Sequence, residues 1–479
     1  MTYKNRLNLL IVLLAALVLS PIAVSFAAEQ TKRPNVILIY SDDQGALDLG
    51  CYGTADIHTP SLDALAARGT RFTQMYAPAP VCSTSRAGLM TGKFPNRAGV
   101  PNNVSSSPGV AGMPATEITI AEMFKASGYT TGHFGKWHLG FTPETMPNNQ
   151  GFDVSYGHMG GCIDNYSHFF YWAGPNRHDL WKNGVEIFEP GEYFPKRTTD
   201  ECIAFIETNR EKPFFIYLAY NVPHYPLQPT ARWQKHYQSV TPLDVPFVRQ
   251  PQEGGSNMPQ VDPLTIRSTY CAFVSSMDEQ IGRVLESLSK TGLQDNTIVI
   301  FQADQGHSFE ERTAFGGGYA GVYRGGKFSL FEGGIRVPSV ISWPAGLPKG
   351  QVRDQAVFAC DWYPTLANLC GVNIPNVPDL DGKNIAPCLT ANAPSPHQSL
   401  YWQSGNQWAV RKGDWKLYAN ASDPSSSKPM PEQDKKLLLV NLANDLGEQT
   451  NLVEQRKEIV DELLLLQKEY DTRIKQKLN

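Results

Sequence analysis

The sequence predicts an α/β fold in which a large sheet is covered by helices on both faces, followed by a small antiparallel α+β domain. Two observations predict the sheet: short apolar runs recur along the first 390 residues, and segments with apolar residues at helical spacing separate them. After about residue 390, short strand-like runs separated by turn residues predict the second domain. A chain of 479 residues has room for both.

The N-terminus reads as a secretory signal peptide, residues 1–28. Lys4 and Arg6 precede an apolar run at residues 9–19, and small residues at 25–28 suit a signal-peptidase cut. We therefore expect a periplasmic or secreted protein. No later stretch has the length of a membrane span, so we expect none in the mature chain.

Composition and charge narrow the class of function. The formal net charge of −4 becomes −6 once Lys4 and Arg6 are removed with the leader. The chain has no run of Lys and Arg of the kind that forms a nucleic-acid surface, so we expect no nucleic-acid partner. An anionic substrate would have to be attracted by a few local cations in a pocket.

The first elements of the predicted catalytic domain, residues 29–390, are a strand and two helices. Residues 35–40 are apolar and β-branched, which predicts a buried strand. Thr59 and Pro60 supply the cap and first-turn proline of a helix that ends at Gly69. A second helix is expected at residues 120–127.

Two more buried strands and a helix follow in this domain. Residues 214–219 and 297–301 are apolar runs that predict strands, and residues 277–288 carry apolar side chains at helical spacing before Gly292. Strands that alternate with amphipathic helices indicate a sheet covered on both faces. Ligands of such sheets gather at the carboxyl ends of the strands.

The predicted C-terminal domain, residues 391–479, is built from short strands and one closing helix. Strands are expected at residues 400–402, 408–411, 415–418 and 437–442, with a polar loop at residues 422–435 between the last two. Residues 459–474 have the apolar spacing of an amphipathic helix.

Eight cysteines in an exported chain could form as many as four disulfides, and their pairing cannot be deduced from the sequence. If Cys82 is used for chemistry, at least one of the other seven is unpaired. Neither a CxxC nor an HExxH spacing occurs, which argues against zinc.

Residues 82–92 place a cysteine and an arginine four residues apart at the start of a predicted helix. The unpaired N–H groups and the positive end of the helix dipole would favour a thiolate or a bound oxyanion beside Arg86. The alternative is that Cys82 is a half-buried structural cysteine.

Oxygen-bearing side chains follow two of the predicted strands. Asp42 and Asp43 come directly after the first, and Asp304 and Gln305 come after the third. Such ligands suit a hard divalent cation. For either pair alone, a solvated loop or a helix cap is the alternative.

Four further side chains could handle an anion and its protons. Lys136 and His138 lie in a glycine-framed extended segment, and His224 follows the strand at residues 214–219 between two prolines. Lys327 lies in a glycine-rich loop. Each alone could be structural or solvated, but with Arg86 and a cation site they suit the removal of a compact anionic group.

These segments, in this order, resemble those of the type I sulfatases of the alkaline-phosphatase superfamily. The resemblance covers nearly the whole mature chain and implies the alkaline-phosphatase-like fold, a large mixed sheet sandwiched by helices. Its motifs include residues 48–53, 82–92, 135–140 and 326–327, together with the C-terminal segments 408–417 and 442–452.

The resemblance implies sulfate-ester hydrolysis at residue 82. Cys82 would be converted to formylglycine by a formylglycine-generating or other sulfatase-maturating enzyme, and the aldehyde hydrate would attack sulfur to form a covalent sulfo-enzyme intermediate. His224 and Lys327 would hold the sulfate and help to protonate the departing alcohol. His138 would deprotonate the remaining hydroxyl to expel sulfate.

The remaining roles carried over from the family are positioning and metal binding. Lys136 and Arg86 would position and polarise the formylglycine. One Ca²⁺ per chain would be held by a set of oxygen ligands together with residue 82: Asp42, Asp43, Asp304 and Gln305.

Two positions depart from the family pattern. Thr84 stands where the signature usually has Pro or Ala, and Gln305 replaces a more frequent Asn or His. The amide oxygen of Gln305 can coordinate a metal, from a longer side chain. His307 is held only as a candidate substrate contact.

The substrate is expected to be a sulfated carbohydrate or polysaccharide fragment, with small aryl esters as the alternative. Export and the aromatic, polar stretch at residues 160–172 favour a sugar, although the same aromatics could simply pack. Two other functions stay open: a phosphatase or phosphonate hydrolase of the same superfamily, and a noncatalytic sulfated-glycan binder if Cys82 is not matured.

Overall fold

A computed structural model describes residues 33–172, 176–245, 262–314, 316–375 and 380–478, so the predicted signal peptide lies outside the described residues. The described strands are β1 (Asn35–Ser41), β2 (Thr70–Tyr76), β3 (Thr130–Lys136), β4 (Val154–His158), β5 (Phe169–Phe170), β6 (Arg177–His178), β7 (Trp181–Lys182), β8 (Val185–Glu186), β9 (Phe214–Ala219), β10 (Thr297–Ala303), β11 (Arg336–Ser342), β12 (Gln351–Arg353), β13 (Val357–Phe358), β14 (Leu400–Ser404), β15 (Gln407–Lys412), β16 (Trp415–Ala419) and β17 (Leu437–Asn441). The described α-helices are α1 (Pro60–Ala67), α2 (Cys82–Thr91), α3 (Ile120–Ala126), α4 (Phe194–Thr208), α5 (Ala231–Tyr237), α6 (Pro263–Lys290), α7 (Glu332–Ile335), α8 (Trp362–Leu369), α9 (Ala386–Ala391), α10 (Glu432–Lys436) and α11 (Lys457–Leu478).

The central sheet is mixed and has 11 strands in the described part of the chain. Its order is β12-β2-β11-β10-β1-β9-β3-β4-β7-β8, and β13 also pairs with β2. The inner run from β10 through β1, β9 and β3 to β4 is parallel, whereas β11 and β7 pair antiparallel at either side. The large mixed sheet expected from the family resemblance is confirmed.

The sheet is covered on both faces, as the sequence predicts. Along β1, Val36 and Leu38 pack into one buried core with Phe124 of α3, and Ile37 and Ile39 pack into a second core. That second core includes apolar residues of α1, α4 and α6. Because successive side chains of a strand point to opposite faces, the two cores lie on opposite sides of the sheet.

Helix α1 begins where the sequence predicts, but Thr59 does not cap it. The Thr59 hydroxyl instead accepts from the Gly50 N–H and donates to Asp63. The N–H groups of Ser61 and Leu62 are accepted by the carboxylate of Asp278, at 2.9 and 2.8 Å. The helix is thus capped by a carboxylate from α6, over 200 residues along the chain, and not by Thr59 as the local pattern predicts.

The C-terminal region contains the expected small antiparallel sheet, in the order β14-β15-β16-β17. The prediction of a polar loop at residues 422–435 is wrong at its C-terminal end, because α10 begins at Glu432 and leads directly into β17. Helix α11 packs Val460 and Leu463 into a core shared with Tyr76 of β2. Among the described helices, none combines the length and apolar character needed to cross a bilayer.

No disulfide joins any of the eight cysteines, all of which lie in the described part of the chain. Seven are buried, and Cys51 is partly exposed. The sequence leaves the disulfide pairing open. In this structure, none of the eight cysteines forms a disulfide.

A buried charge cluster ties the C-terminal sheet to the central part of the chain. The Lys416 ammonium of β16 lies 2.7 Å from Glu332 of α7 and 3.8 Å from Glu448, and all three side chains have 0% exposure. Burial raises the pKa of Glu448 to about 7, although Lys416 opposes this. Lys416 is thus the shared countercharge of two buried carboxyl groups.

Replacing Lys416 with methionine should lower the free energy of unfolding by about 3 kcal/mol or more, because it removes the buried ammonium that faces both acids, of which Glu332 keeps a second ion pair, to Arg336. Denaturant unfolding followed by fluorescence measures this. Lys412→Met is the matched control: its partner is Glu462 and its side chain is 50% exposed, so we expect a change under about 1 kcal/mol. Equal stability of both variants would contradict the prediction.

Candidate active site

The candidate residues converge because the parallel strands that precede them end at one edge of the sheet. Ser41 of β1 pairs with Ala303 of β10, and Tyr40 pairs with Ala219 of β9. Gly135 of β3 also pairs with Ala219, at a φ of 113°, and a Cβ on Gly135 would lie 1.9 Å from the Ala219 carbonyl oxygen. Only glycine permits this close approach immediately before Lys136.

Asp42 and Asp43 both face the site because the chain turns directly after β1. Asp43 has a φ of 62°, a left-handed conformation that breaks the alternation of a regular strand. Asp42 Oδ2 lies 2.6 Å from Lys136 Nζ, and Asp43 Oδ2 lies 2.8 Å from Lys327 Nζ. Each acid therefore has its own ammonium partner.

Cys82 is the first residue of α2 and is fully enclosed, with 1% exposure. Its Sγ–H donates to Asp42 Oδ1 at 3.4 Å, and Gln305 Nε2 approaches Sγ at 3.3 Å. Burial and then the Asp42 carboxylate raise the pKa of the Cys82 thiol well above its usual range. The thiolate expected at this helix N-terminus is therefore not the favoured form, because desolvation outweighs the helix dipole.

Arg86 is one turn further along α2 and is completely buried. Its Nη2 donates to Asp304 Oδ2 at 2.8 Å and lies 3.7 Å from Asp42 Oδ1, while Nη1 donates to the Tyr217 hydroxyl at 3.1 Å. Arg86 thus joins the acids that follow β1 and β10. Its charge lies between Asp42 and Asp304 rather than facing solvent.

Lys136 and Lys327 keep their protons in this site. Burial alone would lower the pKa of each, but Asp42 raises that of Lys136, and Asp43 raises that of Lys327 well above its usual range. Burial would likewise raise the pKa of Asp42, yet Lys136 holds it well below its usual range. The Lys136–Asp42 pair is therefore charged on both sides, whereas burial raises the pKa of Asp43 even though Lys327 opposes this.

His224 presents an unprotonated nitrogen to Asp43. Its Nδ1 lies 2.9 Å from the Tyr225 carbonyl oxygen, which can only accept, so Nδ1 carries the hydrogen. Burial and then Lys327 lower the pKa of His224 well below its usual range, so the ring is neutral. Its Nε2 lies 3.6 Å from Asp43 Oδ2, and two acceptors face each other across that gap.

His138 is the opposite tautomer. Its Nε2 lies 3.0 Å from the Val104 carbonyl oxygen and must therefore donate, which leaves Nδ1 as the basic nitrogen. Nδ1 is buried and has no hydrogen-bond partner among the described residues. Burial and then Lys136 lower the pKa of His138 well below its usual range. His138 follows the end of β3 at a φ of 55°, so the extended segment predicted for residues 135–140 is broken there.

The residues present fit a divalent cation. Ligand atoms of Asp42, Asp43, Cys82 and His224 all lie within 4.8 Å of one another. The Gln305 side chain also reaches the group, since its Nε2 donates to Asp43 Oδ1, and its buried Oε1 accepts no hydrogen bond in the described structure. Carboxylate and amide oxygens are the ligands that calcium prefers.

Asp304 is adjacent to this group but is already engaged. Its Oδ1 accepts from the N–H groups of Asp43 and Gln305 at 3.1 and 3.0 Å, and its Oδ2 accepts from Arg86. Burial and the Asp42 charge raise its pKa, although Arg86 opposes this. His224 thus belongs to the compact ligand group, and Asp304 lies at its edge, bonded to the N–H groups of Asp43 and Gln305.

The departures at Thr84 and Gln305 are accommodated locally. The Thr84 side chain is 2% exposed, and its hydroxyl donates to the Val81 carbonyl at 2.8 Å, one turn back in the chain. A proline or alanine at this position would lack that bond. Gln305 is fully buried between Asp43 and Cys82.

Several contact residues were not predicted from the sequence. Glu310 lies 3.8 Å from Lys327 in an irregular segment, where no pattern marks it. Tyr217, which accepts from Arg86, lies inside the apolar run of β9 and reads as core. His307, the candidate substrate contact, is 2% exposed, and burial lowers its pKa to about 4.

The aromatic stretch at residues 160–172 does reach the site. Phe170 and Cys162 form a small buried cluster with Tyr225, and Trp172 packs against it. The rings of Trp172 and Tyr225 are 5.2 Å apart, and the Tyr225 ring is 4.2 Å from that of His224. An aromatic wall therefore borders the candidate catalytic histidine.

Comparisons with known proteins agree with this geometry. The family model described as Sulfatase matches residues 34–372, and that described as N-sulphoglucosamine sulphohydrolase, C-terminal, matches residues 322–463. Arylsulfatase A of Homo sapiens is 31% identical over 467 residues, covering 90% of this chain and 86% of that protein. Steryl-sulfatase of Rattus norvegicus is 30% identical over 467 residues, covering 81% and 76%.

Solved structures show the same fold. The structure of Ps i-CgsB in complex with k-i-k-neocarrahexaose is 29% identical, with a TM-score of 0.76, and the match covers 92% of this chain and 93% of that one. The match extends over both the central sheet and the C-terminal sheet. The chain is a sulfuric ester hydrolase and belongs to the sulfatase family of the alkaline-phosphatase superfamily.

Proposed function

We propose that the chain hydrolyses a sulfate ester of a carbohydrate, with the reaction centred on residue 82. The observation that carries this proposal is the placement of Cys82. It lies in a buried pocket, within hydrogen-bonding distance of Asp42 and Gln305, and Lys136 and Lys327 pair with the neighbouring acids. Such a pocket can bind a compact anion and hold it against one side chain.

The charges of the pocket suit an anion when a cation is bound. At ordinary ionisation, three acids (Asp42, Asp43, Asp304) balance three bases (Arg86, Lys136, Lys327). A dication held by Asp42, Asp43, Gln305, residue 82 and Asp304 would give the pocket net positive charge. We propose that this ion is Ca²⁺, one per chain, and that it would polarise a sulfate oxygen.

His138 and Lys327 divide the proton transfers. His138 is neutral, and its Nδ1 is free to take a proton, so it serves as the general base. Lys327 keeps its proton beside Asp43 and can donate to the departing alcohol oxygen, while His224 Nε2 lies on the other side of the same carboxylate. Lys136 and Arg86 hold Asp42, which in turn receives the Sγ–H of Cys82.

Residue 82 is proposed to act after conversion to formylglycine. The raised pKa of the Cys82 thiol supports this, because an unmodified protonated thiol is a poor nucleophile. Formylglycine, once hydrated, supplies an oxygen nucleophile at the same position. We therefore propose a formylglycine-generating or other sulfatase-maturating enzyme as a partner that acts on Cys82.

The substrate is proposed to be a sulfated saccharide. Ps i-CgsB, whose structure was solved with k-i-k-neocarrahexaose, is 29% identical to this chain. The aromatic wall of Phe170, Trp172 and Tyr225 borders His224, and its partly exposed member, Trp172, can contact a sugar. We further propose that the protein is periplasmic or secreted, on the strength of the leader-like pattern at residues 1–28.

The proposal is tested with a panel of defined sulfated saccharides and with a sulfate and a phosphate ester of one aglycone. The matured protein should release free sulfate from at least one saccharide and should favour the sulfate ester over the phosphate ester by about tenfold or more in kcat/KM, a difference of about 1.4 kcal/mol. A higher kcat/KM for the phosphate ester would favour the phosphatase alternative. Binding of sulfated saccharides without any turnover would favour the noncatalytic binder.

A further inference from the structure

Arg312 lies on the rim of the candidate active site, on the segment that follows β10. Its guanidinium carbon is 4.8 Å from the centre of the Tyr225 ring. Its Nε donates to Glu310 Oε1 at 3.0 Å, and Nη2 donates to the same oxygen. Arg312 is thereby held over one face of Tyr225 by a carboxylate two residues away.

Two series of side-chain contacts connect Arg312 with the catalytic groups, and both end at Asp43. Glu310 lies 3.8 Å from Lys327, which is 2.8 Å from Asp43. In the other direction, the Tyr225 ring is 4.2 Å from that of His224, whose Nε2 is 3.6 Å from the same Asp43 carboxylate. Arg312 therefore has a fixed place relative to both groups proposed to meet the departing alcohol.

The side chain of Arg312 is much more exposed to solvent than the catalytic side chains that these contacts reach. Its side chain is 43% exposed, whereas those of Lys327 and Asp43 are 4% and 3% exposed. Its Nη1 makes no hydrogen bond to any described residue in the structure. Part of the planar donor fork of Arg312 thus faces solvent, next to the Tyr225 ring that borders His224.

We propose that Arg312 binds a second negatively charged substituent, a sulfate or a carboxylate, on the sugar that leaves. This inference rests on the proposed function and narrows its substrate class to saccharides that carry more than one anionic group. A planar guanidinium binds either group through paired hydrogen bonds. Arg312 lies over Tyr225, and the partly exposed Trp172 packs against the same ring, where it would contact the sugar.

The test compares esters that share one sugar and one scissile sulfate: one with no other anion, one with a second sulfate and one with a carboxylate. The measured quantity is the ratio of kcat/KM for each dianionic ester to that for the monoanionic ester. In Arg312→Gln, we expect this ratio to fall about tenfold for at least one dianionic ester, since charged hydrogen bonds contribute this much. The ester affected identifies the anion, and Arg312→Lys should recover part of the ratio.

Arg232→Gln is the matched control, because Arg232 also pairs with a glutamate, Glu279, and lies over an aromatic ring, that of Trp233. It lies on α5 and should leave the ratio unchanged. Thermal unfolding midpoints of both variants establish that each is folded. An unchanged ratio in folded Arg312→Gln overturns the inference alone, whereas no sulfate release from any ester overturns the proposed function with it.

Discussion

Replacing Cys82 with alanine should abolish sulfate release, with a loss of about 10⁴-fold or more in kcat, because the residue that carries the nucleophile is gone. The fold should survive, since the substitution removes one sulfur atom from the start of α2 and leaves the ion pairs of Lys136 and Lys327 in place. Free sulfate and the unfolding midpoint are measured on the same preparation.

Cys202→Ala is the matched control for this loss. Cys202 is also a fully buried thiol, in α4, and lies in an apolar core rather than among acids and bases. It should retain activity close to that of the parent. The mass of the tryptic peptide that carries residue 82 provides a second readout, and after coexpression with a maturation enzyme it should show aldehyde in place of thiol. A peptide with thiol alone and undiminished sulfatase activity would contradict the mechanism, as would a folded, active Cys82→Ala variant.

Removal of the divalent cation should lower sulfate release by about 100-fold or more, because the pocket then loses the charge that makes it attractive to an anion. Without the ion, the three bases face three acids, and the ester meets two fewer positive charges on entry. Calcium should restore turnover after chelation. The unfolding midpoint should also fall on chelation, because a ligand that binds only the folded state stabilises it.

Metal content offers a readout that does not depend on turnover. The parent should hold one calcium per chain, and Asp43→Asn should hold much less, since Asp43 belongs to the compact ligand group. Glu286→Gln is the control, because that carboxylate is 61% exposed on α6 and pairs only with Lys290 among the described side chains. A metal-free parent that still releases sulfate at full rate would contradict the assignment.

The sequence predicts the strands that build the site better than those at its margins. β1, β9 and β10 are parallel and buried on both faces, so each is a continuous apolar run and was located to within two residues. β3 was not recognised as a strand over its full length, because Thr130–Lys136 contains two glycines, a histidine and a lysine. The glycines allow close packing against β9, and Lys136 belongs to the site. These requirements outweigh the strand propensity of the individual residues.

The residues of the candidate site differ in the same way in how well the sequence predicts their positions. Residues that follow a strand end, such as Asp42 and Asp304, could be placed by topology because parallel strands end together. Contacts made across long sequence separations, such as that of Glu310 with Lys327 or of Asp278 with the start of α1, leave no local signal. The tautomers of His138 and His224 depend on carbonyl groups that only the folded structure supplies.

The Lys416 cluster has a consequence for how this chain can be divided. A fragment that ended before β14 would keep Glu332 in α7, five residues after Lys327, but would lose both Lys416 and the Glu448 carboxylate that accepts the Glu332 N–H. It would also expose Tyr76 and Phe358, which pack against Trp402. The C-terminal region therefore supplies the charged partners of α7, the helix that begins five residues after Lys327. A shortened enzyme must retain this region.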